Sequence, residues 1–185
     1  MIFATVGTQL PFDRLLLALD AWAAANRDVP VLAQTGATGR RFGHIQTVGH
    51  LGQPDYRRHI EAARLVVAHA GMGTILSAVE LGKPAILMPR RASLGEHRNE
   101  HQTDTAREMA RLSNVTVVED AAALHGALDA ARAQGFVASP ARGTAEAEAL
   151  SPLLDAVRGF VWETRGTAPG AAAPPRPARA IRRPA

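Results

Sequence analysis

The segment His69-Ala70-Gly71-Met72-Gly73-Thr74 has the residue types of an anion site. It joins a short apolar run, Leu65-Val66-Val67-Ala68, to a stretch whose Ile75, Leu76, Val79 and Leu81 fall on one helical face. A strand that turns on glycines into a helix presents backbone N–H groups and the positive end of a helix dipole, and both favour negative charge. Gly71 and Gly73 let the main chain approach phosphate oxygens, and the Thr74 hydroxyl adds a donor. Gly7-Thr8 follows the first apolar run in the same manner. The pattern points to a phosphate-bearing ligand, a nucleotide first of all. The same glycines would also make a tight turn with no ligand. A dinucleotide site is disfavoured, because the third glycine of Gly-x-Gly-x-x-Gly falls on Leu76.

Other candidates surround this turn. His69 ends its strand at the rim, as a phosphate or sugar contact or as a structural imidazole bonded to a carbonyl. Arg90 and Arg91 follow Pro89 as exposed charges, open to phosphate, to acidic groups of a partner, or to neither. Glu80 is a candidate for ribose hydroxyls or a solvated helix position, and Lys83 at a helix C-terminus reads as structural. The cluster Glu96-His97-Arg98-Asn99-Glu100-His101-Gln102 opens a helix, with Asn99 as its expected cap. It is either part of a site or a solvated loop. No Asp-x-Asp is present to hold a metal against a departing diphosphate. Backbone N–H groups, helix dipoles and arginine would do that work instead, so no metal or other cofactor is expected.

The elements that must position these groups alternate. Strands are predicted over residues 1–6, 31–35, 45–48, 65–68, 85–88 and 115–118. Helices are predicted over 12–26, 54–63, the stretch after Gly73, 100–112 and 121–134, with Pro54 opening the second and Asp120 capping the last. Gly82 closes the helix after the glycine turn and Pro84 forbids its continuation. Such alternation implies an α/β fold, a Rossmann-like parallel sheet with helices on both faces. A nucleotide-binding domain is expected over 1–135, and a C-terminal helix over 136–163 that docks on the body or on a partner. Residues 164–185, rich in Pro, Ala, Gly and Arg, are expected to be a disordered tail.

Composition narrows the classes. The 185 residues hold one sizeable domain. Cysteine is absent, so neither disulfides nor thiolate-bound metal are available. The net charge of +4 sits in the tail: five of the 21 basic residues follow Glu163, where there is no acid, so 16 face 17 acids elsewhere. One Tyr and two Trp give no aromatic–basic interleaving, and nucleic acid is not an expected partner. No basic leader precedes the first strand, and no apolar run approaches the ~20 residues of a membrane span, so the cytoplasm is expected.

These blocks together carry a resemblance. Met1-Ile-Phe-Ala-Thr-Val-Gly-Thr8, His69–Thr74, Glu80-Leu-Gly-Lys-Pro84, Met88-Pro-Arg-Arg91 and Glu96–Gln102 resemble the donor-binding half of glycosyltransferase family 28, over residues 1 to about 135. The chain is most similar to the short, split members. Examples are the soluble subunit of the dolichol-linked N-acetylglucosaminyltransferase and bacterial exopolysaccharide glycosyltransferase subunits. The resemblance implies half of a GT-B fold, acting in inverting transfer of a hexose or hexuronate from a UDP-sugar to a lipid-linked saccharide. It places Gly7, Thr8, His69, Gly71, Met72, Gly73 and Thr74 on the diphosphate, and Glu96, Asn99, His101 and Gln102 toward the donor sugar. Full-length members carry a ribose-binding Glu where this chain has Ser77, so Ser77 or Glu80 is expected there. A complete GT-B enzyme needs roughly twice this length, at ~100–200 residues per domain. A membrane-anchored acceptor-binding subunit is therefore the implied partner, holding the chain at the inner face of the membrane and supplying the general base. His97 is the one local candidate for that base. A non-catalytic nucleotide-sugar-binding or regulatory module stays open. A small epimerase or hydrolase lacks an evident nucleophile, with no Gly-x-Ser-x-Gly.

Overall fold

A computed structural model describes residues 1–137 of the chain. Six strands, β1 (Ile2–Thr5), β2 (Val31–Gln34), β3 (Gln46–Val48), β4 (Leu65–Ala68), β5 (Ala85–Leu87) and β6 (Val115–Val117), form one sheet. Five α-helices connect or flank them: α1 (Asp13–Ala25), α2 (Gln53–Ala62), α3 (Met72–Glu80), α4 (His101–Met109) and α5 (Ala121–Ala133). A 3-10 turn at Ala92–Leu94 precedes α4. All pairings are parallel, in the order β3-β2-β1-β4-β5-β6.

The period-two alternation of the strands sends side chains to both faces. Ile2, Ala4, Val67 and Ile86 pack under α1 and α5, against Leu15, Leu16, Leu19, Trp22, Leu124 and Leu128. Phe3, Val66, Ala68 and Leu87 go to the other face, against Ile60 of α2, Ile75 and Ala78 of α3 and Met109 of α4. With both faces covered, the central strands β1 and β4 are buried along their whole length and apolar except for Thr5, as suits a doubly covered parallel sheet. The predicted Rossmann-like α/β sheet is the observed one.

Local signals set the ends. Asp120 caps α5, its Oδ1 accepting from the Ala123 N–H at 2.8 Å. Gly82, at φ 59°, ends α3 in a Schellman turn, with Lys83 N–H donating to Ala78 O at 2.8 Å. Lys83 Nζ donates to the Glu61 and Ala63 carbonyls at the end of α2. It is structural as expected, serving the C-terminus of a neighbouring helix. Helix α4 departs from expectation. Glu100, not Asn99, occupies its cap position and makes no side-chain cap bond, while the Asn99 N–H donates to His97 Nδ1 at 3.4 Å. Among the described residues no helix is long and apolar enough to cross a membrane. The helix expected over 136–163, apart from its first two residues, and the tail over 164–185 lie outside the described residues.

Candidate functional site

Strand β1 pairs with β2 on one side and β4 on the other, so the chain reverses its direction of travel between β1 and β4. At such a switch point the loops leaving the two strands diverge and open a crevice at the carboxyl edge of the sheet. The loop after β1 carries Gly7 and Thr8, and the turn after β4 carries His69 to Gly73. Register pairs Thr5 with Ala68, which brings these two glycine turns side by side.

His69 is locked between them. A Cβ on Gly7 would lie 2.7 Å from His69 Cε1, and one on Gly71 would lie 2.3 Å from His69 Nε2. Gly7 also sits at φ 75°, where a side chain is strained. The imidazole thus occupies the space two absent side chains leave. Its Nδ1 is buried with no hydrogen-bond partner. Burial, first, and the Arg90 charge, second, lower the His69 pKa to about 4, against the opposing pull of the Thr5 backbone. The ring is neutral at pH 7.

Helix α3 begins at the crevice. Gly71 holds its cap position in extended conformation and contributes no side-chain cap. Thr74 and Ile75 donate their N–H groups to Gly71 O at 3.1 and 3.2 Å. The Met72 and Gly73 N–H groups have no acceptor among the described residues, which is the ordinary state of a helix start and a ready anion contact. Gly73 differs from Gly71. Nothing lies within 4 Å of where its Cβ would be, and its φ is not positive. The fold does not require glycine there.

The structure adds detail at three positions of this helix. Thr74 is buried, and its hydroxyl oxygen accepts from Tyr56 OH of α2 at 2.9 Å, which leaves its own proton to donate. Glu80 ends α3, about 12 Å along the axis from Met72 at 1.5 Å per residue. It is therefore not gathered with the glycine turns. Ser77 is nearer, and its Oγ donates to Gly73 O at 2.9 Å.

The arginines also differ from their expected exposure. Arg90 is 2% exposed and points beneath the β1–α1 loop. Its guanidinium donates to the carbonyls of Val6, Leu10, Pro11 and Glu96. Burial lowers its pKa, with the Glu96 charge opposing. Its two terminal nitrogens are engaged by these carbonyls. Arg91 pairs with Glu119 at 2.9 Å. Glu96 is taken up by Arg14 of α1, at 2.7 and 2.9 Å, and by the Arg91 N–H at 3.0 Å, so its carboxylate braces the loop. Gln102 is buried, with Oε1 accepting from the Arg90 N–H at 3.1 Å. Exposed at the start of α4 are Asn99 and His101, whose ring lies edge-on to His97 with centroids 4.5 Å apart. Arg14 and Tyr56 carry much of this geometry and had no signal in the sequence, being single polar residues on otherwise ordinary helices. Among the described residues no three His, Asp or Glu side chains gather as metal ligands.

Residues 1–150 match the model of the glycosyltransferase family 28 C-terminal domain. The chain belongs to that family. The family 28 match runs beyond the 1–135 over which the motifs carried the resemblance. Among solved structures, the chain is similar to Acinetobacter baumannii MurG at 17% identity and a TM-score of 0.53, covering 73% of this chain and 42% of that one. It is similar to the glycotransferase of kitacinnamycin at 21% and 0.55, covering 85% and 39%. It is similar to the solution structure of ALG13 at 18% and 0.56, covering 83% and 94%. At these identities the likeness is one of fold, half of a GT-B architecture. The chain spans about two fifths of the first two proteins and nearly all of the third. No curated protein matches it. It is a family 28 glycosyltransferase domain.

Proposed function

We propose that this chain is the donor-binding half of a two-component inverting glycosyltransferase. It takes a hexose or hexuronate from a UDP-sugar, and a membrane-anchored partner presents a lipid-linked saccharide acceptor, as in exopolysaccharide or glycolipid synthesis. The observation that carries the reading is the open start of α3, where Met72 and Gly73 offer N–H groups beside the Gly7-Thr8 loop at the switch point. The diphosphate binds these N–H groups, and the neutral His69 ring forms the floor between the turns. Ser77 is the better-placed residue for ribose. His97, Asn99 and His101 line the start of α4 on the sugar side. The acceptor hydroxyl attacks the anomeric carbon in line as the carbon–oxygen bond to the diphosphate breaks, and the N–H groups stabilise the charge that develops on the leaving UDP. The general base comes from the partner, with His97 as the local alternative. No metal takes part. The chain's near-complete coverage of the ALG13 structure, against two fifths of the longer proteins, supports a split arrangement. The partner then keeps the chain at the cytoplasmic face of the membrane.

Calorimetric titration of the chain with UDP, UDP-glucose, UDP-N-acetylglucosamine and UDP-glucuronate, with and without Mg²⁺, tests the reading. Metal-independent binding that disappears in Gly73→Asp is expected, and the tightest ligand names the sugar. No binding by the chain, alone or reconstituted with a membrane-anchored acceptor-binding subunit, would sink the proposal. Binding without transfer in the reconstituted pair would leave a nucleotide-sugar-binding module.

A further inference from the structure

We propose that Arg90 and Arg14 are a pair of positioning residues that hold the 6–11 loop in its anion-receiving shape. The inference rests on the donor-binding reading. Arg90 leaves the end of β5 and reaches under the neighbouring loop. One nitrogen, Nη2, donates to Val6 O at 2.7 Å and Leu10 O at 2.5 Å, while Nη1 donates to Pro11 O at 2.7 Å and Glu96 O at 3.2 Å. Three acceptors belong to one loop and the fourth to another. All are neutral carbonyls, and no carboxylate among the described residues bonds this guanidinium. A planar fork of fixed donors can hold such a set in register, whereas an ammonium on a flexible stem cannot.

The consequence for the loop is specific. With the Val6, Leu10 and Pro11 carbonyls drawn inward, the loop between them spends few acceptors on its own donors. The N–H groups of Thr8, Gln9 and Leu10 have no acceptor among the described residues, and all three residues are exposed. They are the groups that would meet a diphosphate opposite Met72 and Gly73.

Arg14 completes the tie from α1. It holds Glu96 with two bonds, Pro89 O at 2.9 Å and Glu119 O at 2.7 Å. Both guanidiniums lie against the buried Phe12 ring, 4.8 Å from its centroid for Arg90 and 5.2 Å for Arg14. The loops after β1, β5 and β6 are thereby joined through two cations and one benzyl group.

Amide NMR of the full chain, with UDP titration, compares wild type with Arg90→Lys and Arg14→Lys. In each variant that keeps its fold, the Thr8, Gln9 and Leu10 amides are expected to shift or broaden while those of β1 and β4 stay. UDP binding is expected to weaken roughly ten- to hundred-fold, most in Arg90→Lys. Unmoved loop amides in a folded variant would overturn the inference whether or not UDP binds. Moved amides with unchanged UDP affinity would overturn the link to the ligand. If wild type binds no UDP yet the amides move, the donor-binding reading fails and the positioning role stands. Should Arg90→Lys not fold, Arg14→Lys decides, because its side chain is already 22% exposed.

Discussion

Two glycines with one residue between them, Gly71 and Gly73, should respond to the same substitution in opposite directions. An alanine methyl at Gly71 would lie 2.3, 2.7 and 3.0 Å from Nε2, Cε1 and Cδ2 of His69. The ring cannot retreat, because Gly7 closes on it from the other side. Overpacking of a rigid neighbour costs about 1–3 kcal/mol, and contacts this short belong at the upper end. For a chain of this size that is roughly 5–12 °C in Tm, at ~2–4 °C per kcal/mol. An alanine at Gly73 meets nothing within 4 Å and inherits ordinary helical backbone. Gly→Ala at a compatible position stabilises by about 0.4–1 kcal/mol, or ~1–4 °C. Gly73→Ala should therefore melt above wild type while binding UDP at least roughly tenfold less tightly, since its methyl occupies the approach to the helix start. Scanning calorimetry with and without UDP reads both effects. A Gly71→Ala protein that melts with wild type would refute the locked ring. A Gly73→Ala protein with full affinity would refute the phosphate approach.

His69 gives a pH signature. Its folded pKa is depressed to about 4 from an ordinary 6.5, so the unfolded chain binds the extra proton first. Stability from this group is complete above pH 6.5 and falls as pH drops toward 4. Urea unfolding at pH 7 and pH 4.5 should show wild type losing about 2 kcal/mol more than His69→Gln; equal losses would place the titration elsewhere. Tyr56→Phe removes the donor to the buried Thr74 hydroxyl and should lower stability by about 1 kcal/mol, read as a Tm drop. Asp120→Ala loses the α5 cap and should cost about 1 kcal/mol in denaturant unfolding, with UDP affinity unchanged.

The architecture was legible because its signals are local. Apolar runs such as Leu65–Ala68, the Gly82 and Pro84 stops and the Asp120 cap each act within a few residues, and each sits where expected. The site was legible in its residues and less so in their roles. Gly71 and Gly73 read alike in sequence, as backbone thinned for phosphate. In the fold, the first makes room for an imidazole and only the second is free of structural demand. Arg90 read as a surface charge because arginine usually is one. Its burial depends on four carbonyls brought to it from two loops, three of them about 80 residues away. Arg14 depends on Glu96, 82 residues on. No window of sequence contains such pairs. Helix α4 starts one residue later than the Asn99 cap signal, at Glu100, with no side-chain cap bond.

The interlock of Gly7, His69 and Gly71 also constrains the order in which this family of sequences can drift. While the imidazole is present, neither glycine can acquire a side chain. Once position 69 has become small, the Gly71 position is open to alanine, and that later step then bars the imidazole's return. The three positions should behave as a ratchet, so that an ancestor and a descendant differing at all of them are joined by a path that runs through position 69 first.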